Sequence, residues 1–146
     1  MQALLKLDKA AGGSGLPETT LELVKLRAGQ INGCSGCVDL HSRLLKAMGE
    51  SDERVFMVAA WRESSYFSDA ERAALALAEA MTRIADRADP VTDEIWADVA
   101  RHYDVAQLSS LVLSIAAINA WNRLNVATRQ ITGEWIAEQI PAMLGR

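Results

Sequence analysis

Hydrophobic and polar residues follow a helical period along this chain. Apolar positions recur three and four residues apart, and no segment shows the strict alternation or the β-branched density of a strand. The pattern therefore predicts an all-α fold, a bundle of about seven or eight helices.

Capping residues and helix breakers divide the pattern into segments. Ser68 and Glu71 are spaced as a capping box, and Gly33 and Gly49 follow the ends of apolar runs. The resulting predicted helices cover residues 3–10, 17–31, 34–48, 52–60, 69–86, 93–103 and 106–131, with a last one after residue 133 that ends near residue 143.

The segment 106–131 carries too few polar positions for an ordinary surface helix. A helix of this kind lies in a core or forms a subunit interface, and we expect both, hence a homo-oligomer. The alternative is a monomer with an apolar central helix. The most apolar stretch, 108–120, is interrupted by three serines and an asparagine and is shorter than the roughly 18 residues of a membrane span, so we expect no membrane insertion.

Composition narrows the class of protein further. The chain has 146 residues, which predicts one domain over 1–146, and its 50% apolar and 23% charged residues are typical of globular proteins. A net charge of -4 without a basic cluster argues against nucleic-acid binding. The N-terminal residues lack a signal-peptide pattern, and two cysteines are too few for a disulfide scaffold, so we expect a cytoplasmic protein.

Both cysteines and a histidine fall on one stripe of the third predicted helix. Cys34, Cys37 and His41 lie within roughly 60° of one another at 100° per residue. At the first turn of a helix, unpaired N–H groups and the helix dipole favour a thiolate, which is the reactive form of cysteine. Because the two cysteines are also close enough to form a disulfide, the pattern predicts a redox couple.

Glu22 extends this site if the turn at Asn32-Gly33 folds the second and third helices against each other. Glu22 and His41 then lie at similar depth from the turn, roughly 12–14 Å at 1.5 Å per residue. A carboxylate beside an imidazole fixes its tautomer, and Cys37 is one turn from His41. The spacing therefore predicts a relay Glu22–His41–water–Cys37 that moves a proton to or from the thiol.

Other interpretations of these residues remain open. The cysteines could be small buried hydrophobic residues, or could bind zinc with His41 and Glu22 or with a ligand of a neighbouring subunit. The sequence offers no second ligand pair for zinc, because the other histidine, His102, is expected at the surface. Glu22 could be a surface carboxylate paired with Lys25. Four aromatic residues are candidates for either pocket walls or core: Trp61, Tyr66, Phe67 and Trp121.

Three stretches resemble one family. The segment 32–41, with Glu22 before it, resembles the AhpD-like branch of the carboxymuconolactone decarboxylase family, and the segments 61–75 and 118–125 are similar to its second and third helical signatures. The resemblance covers about residues 15–140. It implies an all-helical subunit that forms trimers or hexamers and acts as a thiol-dependent alkyl hydroperoxidase or disulfide reductase, with no metal or organic cofactor.

The resemblance also implies roles for the site residues. Cys37 would attack the peroxide, Cys34 would resolve the product into a disulfide and meet an external dithiol reductant, and Glu22 and His41 would relay protons. Exposure at the helix start favours Cys34 as the attacking thiol instead. Peroxidase members can carry a histidine at the position of Gly36, so this chain has one proton-handling group fewer. The decarboxylase branch generally lacks the cysteine pair, which argues against the lactone reaction.

Overall fold

The computed structural model describes residues 2–145, and all regular secondary structure in this range is helical. The prediction of an all-α fold with seven or eight helices is therefore confirmed. The eight α-helices and two 3₁₀ segments of this range are α1 (Gln2–Ala10), α2 (Glu18–Asn32), α3 (Ser35–Ala47), α4 (Asp52–Met57), a 3₁₀ segment (Val58–Glu63), α5 (Asp69–Thr82), a 3₁₀ turn (Ile84–Asp86), α6 (Asp93–His102), α7 (Val105–Ala127) and α8 (Glu134–Met143).

Helix α2 lies at the centre of the bundle, in contact with α3, α5, α7 and the first 3₁₀ segment. Its apolar residues face two separate cores. Leu21 and Val24 pack with residues of α5, α6 and α7, while Leu23 and Leu26 pack with α3, α5 and the first 3₁₀ segment. Because α2 is buried on most sides, a polar residue on it needs a partner inside the protein.

A tight turn joins α2 to α3 and sets the distance between them. Gly33 has a left-handed conformation with φ of 67°, which ends α2 and which glycine adopts without steric cost. Gly29, one turn earlier, lets the helices approach closely, since a Cβ at this position would lie 3.3 Å from the Cβ of Cys37. The first turn of α3 is therefore pressed against α2.

The predicted helix over 52–60 is two elements in the structure. Helix α4 ends at Met57 and continues as a 3₁₀ segment to Glu63. The guanidinium of Arg72, on α5, donates to the carbonyl oxygens of Trp61, Arg62 and Ser64 at 2.7–3.0 Å. A side chain from α5 thus satisfies carbonyls at the end of the 3₁₀ segment, a contact that the local sequence pattern could not show.

Two other predicted helices were too long. Helix α5 ends at Thr82 instead of residue 86, and α7 ends at Ala127 instead of residue 131. After α7, Arg129 adopts a positive φ of 53°, and Thr132 donates to a carboxylate oxygen of Asp39 on α3 at 2.6 Å. The chain thus turns back, and α8 packs against α3.

Helix α7 has the length and composition of a membrane span, with 23 residues and a mean hydropathy of 1.2 in its most apolar 18-residue window. The length argument against a membrane span was therefore wrong. In this fold, 39% of the window is buried, and the buried face of α7 packs against α1, α2 and α5. The expected core position therefore holds for one face of this helix, and its other face is exposed.

Candidate active site

Cys34 and Cys37 are bonded to each other across the start of α3, with their Cα atoms 5.3 Å apart. The prediction that the pair can close a disulfide is confirmed. Their expected position needs one correction, because Cys34 precedes the first turn and is the N-cap of α3. Its backbone is extended, so its Sγ accepts a hydrogen bond from the backbone N–H of Cys37 at 3.3 Å. Cys34 therefore has the position of a capping serine.

The disulfide is buried, with 2% of Cys34 and 3% of Cys37 exposed. Ala28 from α2 and Ile118 from α7 pack against it, and Trp121 covers the cluster as a partly buried neighbour. The alternative that the cysteines are buried is right about their environment. They are nevertheless bonded to each other and are not two separate apolar residues.

Glu22 and His41 meet between α2 and α3, as the depth count predicted. Nδ1 of His41 lies 2.6 Å from Oε2 of Glu22, and both side chains are buried. A carboxylate accepts hydrogen bonds and cannot donate one when ionised, so this contact places the proton on Nδ1 and leaves Nε2 for proton exchange. His41 follows Cys37 by four residues, about one helical turn, so the two side chains lie on the same face of α3.

A lysine completes the charge pattern around Glu22. Nζ of Lys25 donates to Oε1 of Glu22 at 2.9 Å and lies 3.7 Å from Oδ1 of Asp8 on α1. The pairing with Lys25 was predicted as an alternative, but the surface position that went with it was wrong. Burial opposes ionisation of Glu22, yet His41 and then Lys25 outweigh it and lower the pKa of Glu22 from 4.5 to about 2. Glu22 is thus a carboxylate at neutral pH.

The sequence interpretation missed one side chain that touches the sulfurs. Nδ2 of Asn125, on α7, donates to Sγ of Cys37 at 3.4 Å. Eighty-eight residues separate the two, and the only available signal was the position of Asn125 within the third family-like segment, 118–125. Three asparagines form a separate hydrogen-bonded group between α2 and α7. Nδ2 of Asn32 donates to Oδ1 of Asn119 at 3.0 Å and to Oδ1 of Asn122 at 2.8 Å. These bonds tie the end of α2 to α7.

The remaining candidates lie apart from the sulfurs or line the core. Trp61 and Phe67 are buried in the core formed by α2 and α5, and Tyr66 is half exposed. Of the four aromatic residues, Trp121 is the one that packs against the disulfide cluster. His102 ends α6 at the surface, beside Asp98. Residues 2–145 contain no group of three or more His, Cys, Asp or Glu side chains arranged to hold a metal ion.

The geometry combines a sulfur pair that can be oxidised and reduced with a proton-handling pair one turn away. The structure joins the four predicted site residues in two pairs, Cys34 with Cys37 at the start of α3 and Glu22 of α2 with His41 of α3. Glu22 fixes His41, and His41 follows Cys37 along the same helix. Such an arrangement suits thiol chemistry in which a leaving group takes up a proton.

Comparison with known proteins places the chain among relatives of the same fold. The Carboxymuconolactone decarboxylase family matches residues 1–80. YdfG of Bacillus subtilis, which is uncharacterized, is 39% identical over 87% of this chain and 85% of its own length. The alkyl hydroperoxide reductase AhpD of Bradyrhizobium diazoefficiens is 36% identical over a shorter stretch, 38% of this chain and 30% of that protein.

Solved structures agree with this assignment. ATU0492 of Agrobacterium tumefaciens, a protein of unknown function assigned provisionally to AhpD-type antioxidant defence, superposes with a TM-score of 0.85 and 32% identity over 90% of this chain and 89% of its own. The debrominase Bmp8 superposes with a TM-score of 0.77 at 21% identity, over 94% of this chain and 72% of its own, which shows the shared fold alone. The chain therefore belongs to the carboxymuconolactone decarboxylase family, in its AhpD-like branch.

Proposed function

We propose that this protein is a thiol-dependent peroxidase and disulfide oxidoreductase in which Cys34 and Cys37 are the redox-active pair. One observation carries the proposal, namely the bonded cysteines at the start of α3 with the buried Glu22–His41 pair one turn further along. Membership of the family suggests an enzyme, and the AhpD relatives suggest an antioxidant role.

The proposed cycle begins with the reduced pair. The Cys37 thiolate attacks the terminal oxygen of a hydroperoxide, the O–O bond breaks, and Cys37 becomes a sulfenic acid. The alkoxide that leaves takes a proton from Nε2 of His41, through a bridging water, and departs as an alcohol. Glu22 stabilises the ring while it carries the extra proton.

Cys34 closes the cycle. Its thiol condenses with the sulfenic acid, which releases water and forms the disulfide that the structure shows. An external dithiol then exchanges with this disulfide, leaves as its own oxidised form, and returns both thiols. A reducing compartment such as the cytoplasm would supply that dithiol, and we propose that the protein acts there as a homo-oligomer, a trimer or a hexamer.

The decisive measurement counts free thiols in the reduced full-length protein before and after one equivalent of an organic hydroperoxide. We expect two thiols to be lost per peroxide, one alcohol to be formed, and both thiols to return with dithiothreitol. A Cys34→Ser, Cys37→Ser variant is the control and should consume no peroxide. Thiols that survive an excess of hydroperoxide would contradict the proposal.

A metal assay on the same sample tests the zinc alternative. The zinc-stabilised module predicts about one zinc per site and unfolding by a chelator. The lactone-type alternative predicts instead that the variant lacking both cysteines keeps full activity on its substrate. Under the proposed function, chelators leave both the fold and the thiol loss unchanged.

A further inference from the structure

Two different donors serve the two sulfurs of the disulfide. Sγ of Cys34 accepts from the backbone N–H of Cys37 at 3.3 Å, and Sγ of Cys37 accepts from the side-chain amide of Asn125 at 3.4 Å. The first donor belongs to the same helix turn, whereas the second comes from α7. The chain thus places a dedicated side chain against one sulfur of the pair.

The turns of α7 that precede Asn125 are fixed against the disulfide cluster and the end of α2. Trp121, one turn before Asn125, packs against the disulfide cluster, and Ile118 is buried in it. Asn122, which follows Trp121 directly, is fully buried and accepts a hydrogen bond from Asn32 at the end of α2. The segment 118–125 is therefore anchored to the elements that carry the cysteines, so Asn125 has a fixed position relative to Cys37.

We infer that Asn125 is a positioning residue that stabilises the thiolate of Cys37 and thereby makes Cys37 the attacking sulfur. When the disulfide is reduced, a negative sulfur accepts the Asn125 N–H bond more strongly than a neutral thiol does. Burial alone would disfavour the charged sulfur, so a donor aimed at it has a large effect. The inference rests on the proposed function, because it decides between the two thiols of that cycle.

The expected effect is confined to one cysteine. Cys37 has both the amide donor and His41 one turn away, while the bond to Cys34 is made by the backbone and does not depend on α7. A change at Asn125 should therefore alter the charge state of Cys37 and leave Cys34 as it was. A residue with only a packing role would affect both cysteines, or neither.

The experiment measures the pH dependence of alkylation by iodoacetamide in the reduced full-length protein. The Cys34→Ser background reports Cys37, and the Cys37→Ser background reports Cys34. Asn125→Leu removes the donor at similar size, and Asn125→Asp replaces it with a negative acceptor. Gln130→Glu, whose side chain bonds to Thr128 rather than to a sulfur, controls for the added charge.

We expect both Asn125 variants to move the Cys37 profile to higher pH by about one unit, which makes alkylation about tenfold slower below the midpoint and equal at the high-pH plateau. The Cys34 profile and the Gln130→Glu profile should stay in place. An unmoved Cys37 profile in either folded variant, or an equal shift at Cys34, would overturn the inference.

The outcomes for Asn125 and for the proposed function are distinguishable. Alkylation requires no peroxide, so a shifted Cys37 profile supports the role of Asn125 even if hydroperoxides leave the thiols intact. Conversely, loss of two thiols to hydroperoxide together with an unmoved Cys37 profile would support the peroxidase function and contradict the role of Asn125.

Discussion

At the scale of single residues, the site depends on charges that are buried together. Glu22 has a buried carboxylate with two cationic or proton-donating neighbours, and it holds the imidazole that follows Cys37. A buried charge is tolerated only when partners replace its lost water, so each member of this group depends on the others. Two predictions follow from that dependence.

The first prediction concerns acid. The pKa of Glu22 is lowered from 4.5 to about 2 in the folded protein, so between these values the unfolded chain binds more protons and the free energy of unfolding falls as pH falls. Glu22 stabilises the fold fully above pH 4.5, and this contribution, up to about 3 kcal/mol, is lost as pH approaches 2.

Urea unfolding at a series of pH values checks this. The loss of stability between pH 5 and 2 should be smaller in Glu22→Gln than in the unmodified protein. Glu138→Gln, which removes an exposed carboxylate on α8, is the matched control and should leave the loss unchanged. Equal acid sensitivity in Glu22→Gln and the unmodified protein would contradict the assignment.

The second prediction concerns Lys25. Lys25→Met keeps most of the side-chain volume but removes the cation from the buried pair with Glu22, and we expect it to lower the free energy of unfolding by about 1–3 kcal/mol. Lys46→Met removes an exposed partner of Asp52 and should cost little, because surface ion pairs are weak. Chemical denaturation at pH 7 measures both, and similar losses would show that burial does not matter here.

At the scale of elements, the contact between α2 and α3 determines where the sulfurs lie. The two helices approach at Gly29, and the turn at Gly33 fixes their direction. A second glycine, Gly36, lies in the first turn of α3 between the cysteines, but a Cβ there would meet no heavy atom within 4 Å. The two glycines are both buried in helices, so they make a matched pair for substitution.

We expect opposite effects from the same change at the two positions. Gly36→Ala should raise the free energy of unfolding by about 0.5–1 kcal/mol, since alanine loses less entropy in a helix. Gly29→Ala places a Cβ 3.3 Å from that of Cys37, which is attached to the backbone and cannot turn away, so the helices must separate and stability should fall. Denaturant unfolding measures the free energy of unfolding of both variants. Equal stabilisation would show that α2 and α3 can separate without cost.

At the scale of the whole molecule, α7 presents an apolar surface that has no partner among residues 2–145. One face of this helix is largely apolar and carries one charged residue, Arg123. Its other exposed and half-buried members are Val105, Ala106, Ser109, Leu113, Ala116, Ala120, Leu124 and Ala127. An exposed face of this composition is typical of a subunit contact. We propose that this face joins copies of the chain in a homo-oligomer.

Native mass measurement tests this proposal. The unmodified chain should exceed 15.9 kDa by an integral factor at micromolar concentration, and Leu124→Glu should shift it towards 15.9 kDa because a charge would be buried in the contact. Phe56→Glu changes another exposed apolar residue, on α4, and serves as control. A 15.9 kDa species for the unmodified chain would contradict the proposal.

The sequence by itself determined the helical class, the approximate helix boundaries and two contacts, that of Cys34 with Cys37 and that of Glu22 with His41. These features are local or periodic, since capping residues, apolar spacing and helix geometry act over a few residues and can be counted along the chain. Even the proximity of Glu22 to His41 follows from such counting, because both are measured from one turn. The single domain over 1–146 stays a prediction.

Only the tertiary structure decided the features that depend on distant partners. The contact of Asn125 with Cys37 joins residues 88 positions apart, and a carbonyl at the end of the first 3₁₀ segment accepts from Arg72 on α5. The burial of Glu22 depends on how α2 packs against α3 and the rest of the bundle. Hydrogen bonds and desolvation act through space, so a pattern read along the chain predicts which groups need partners but cannot say which partners they find.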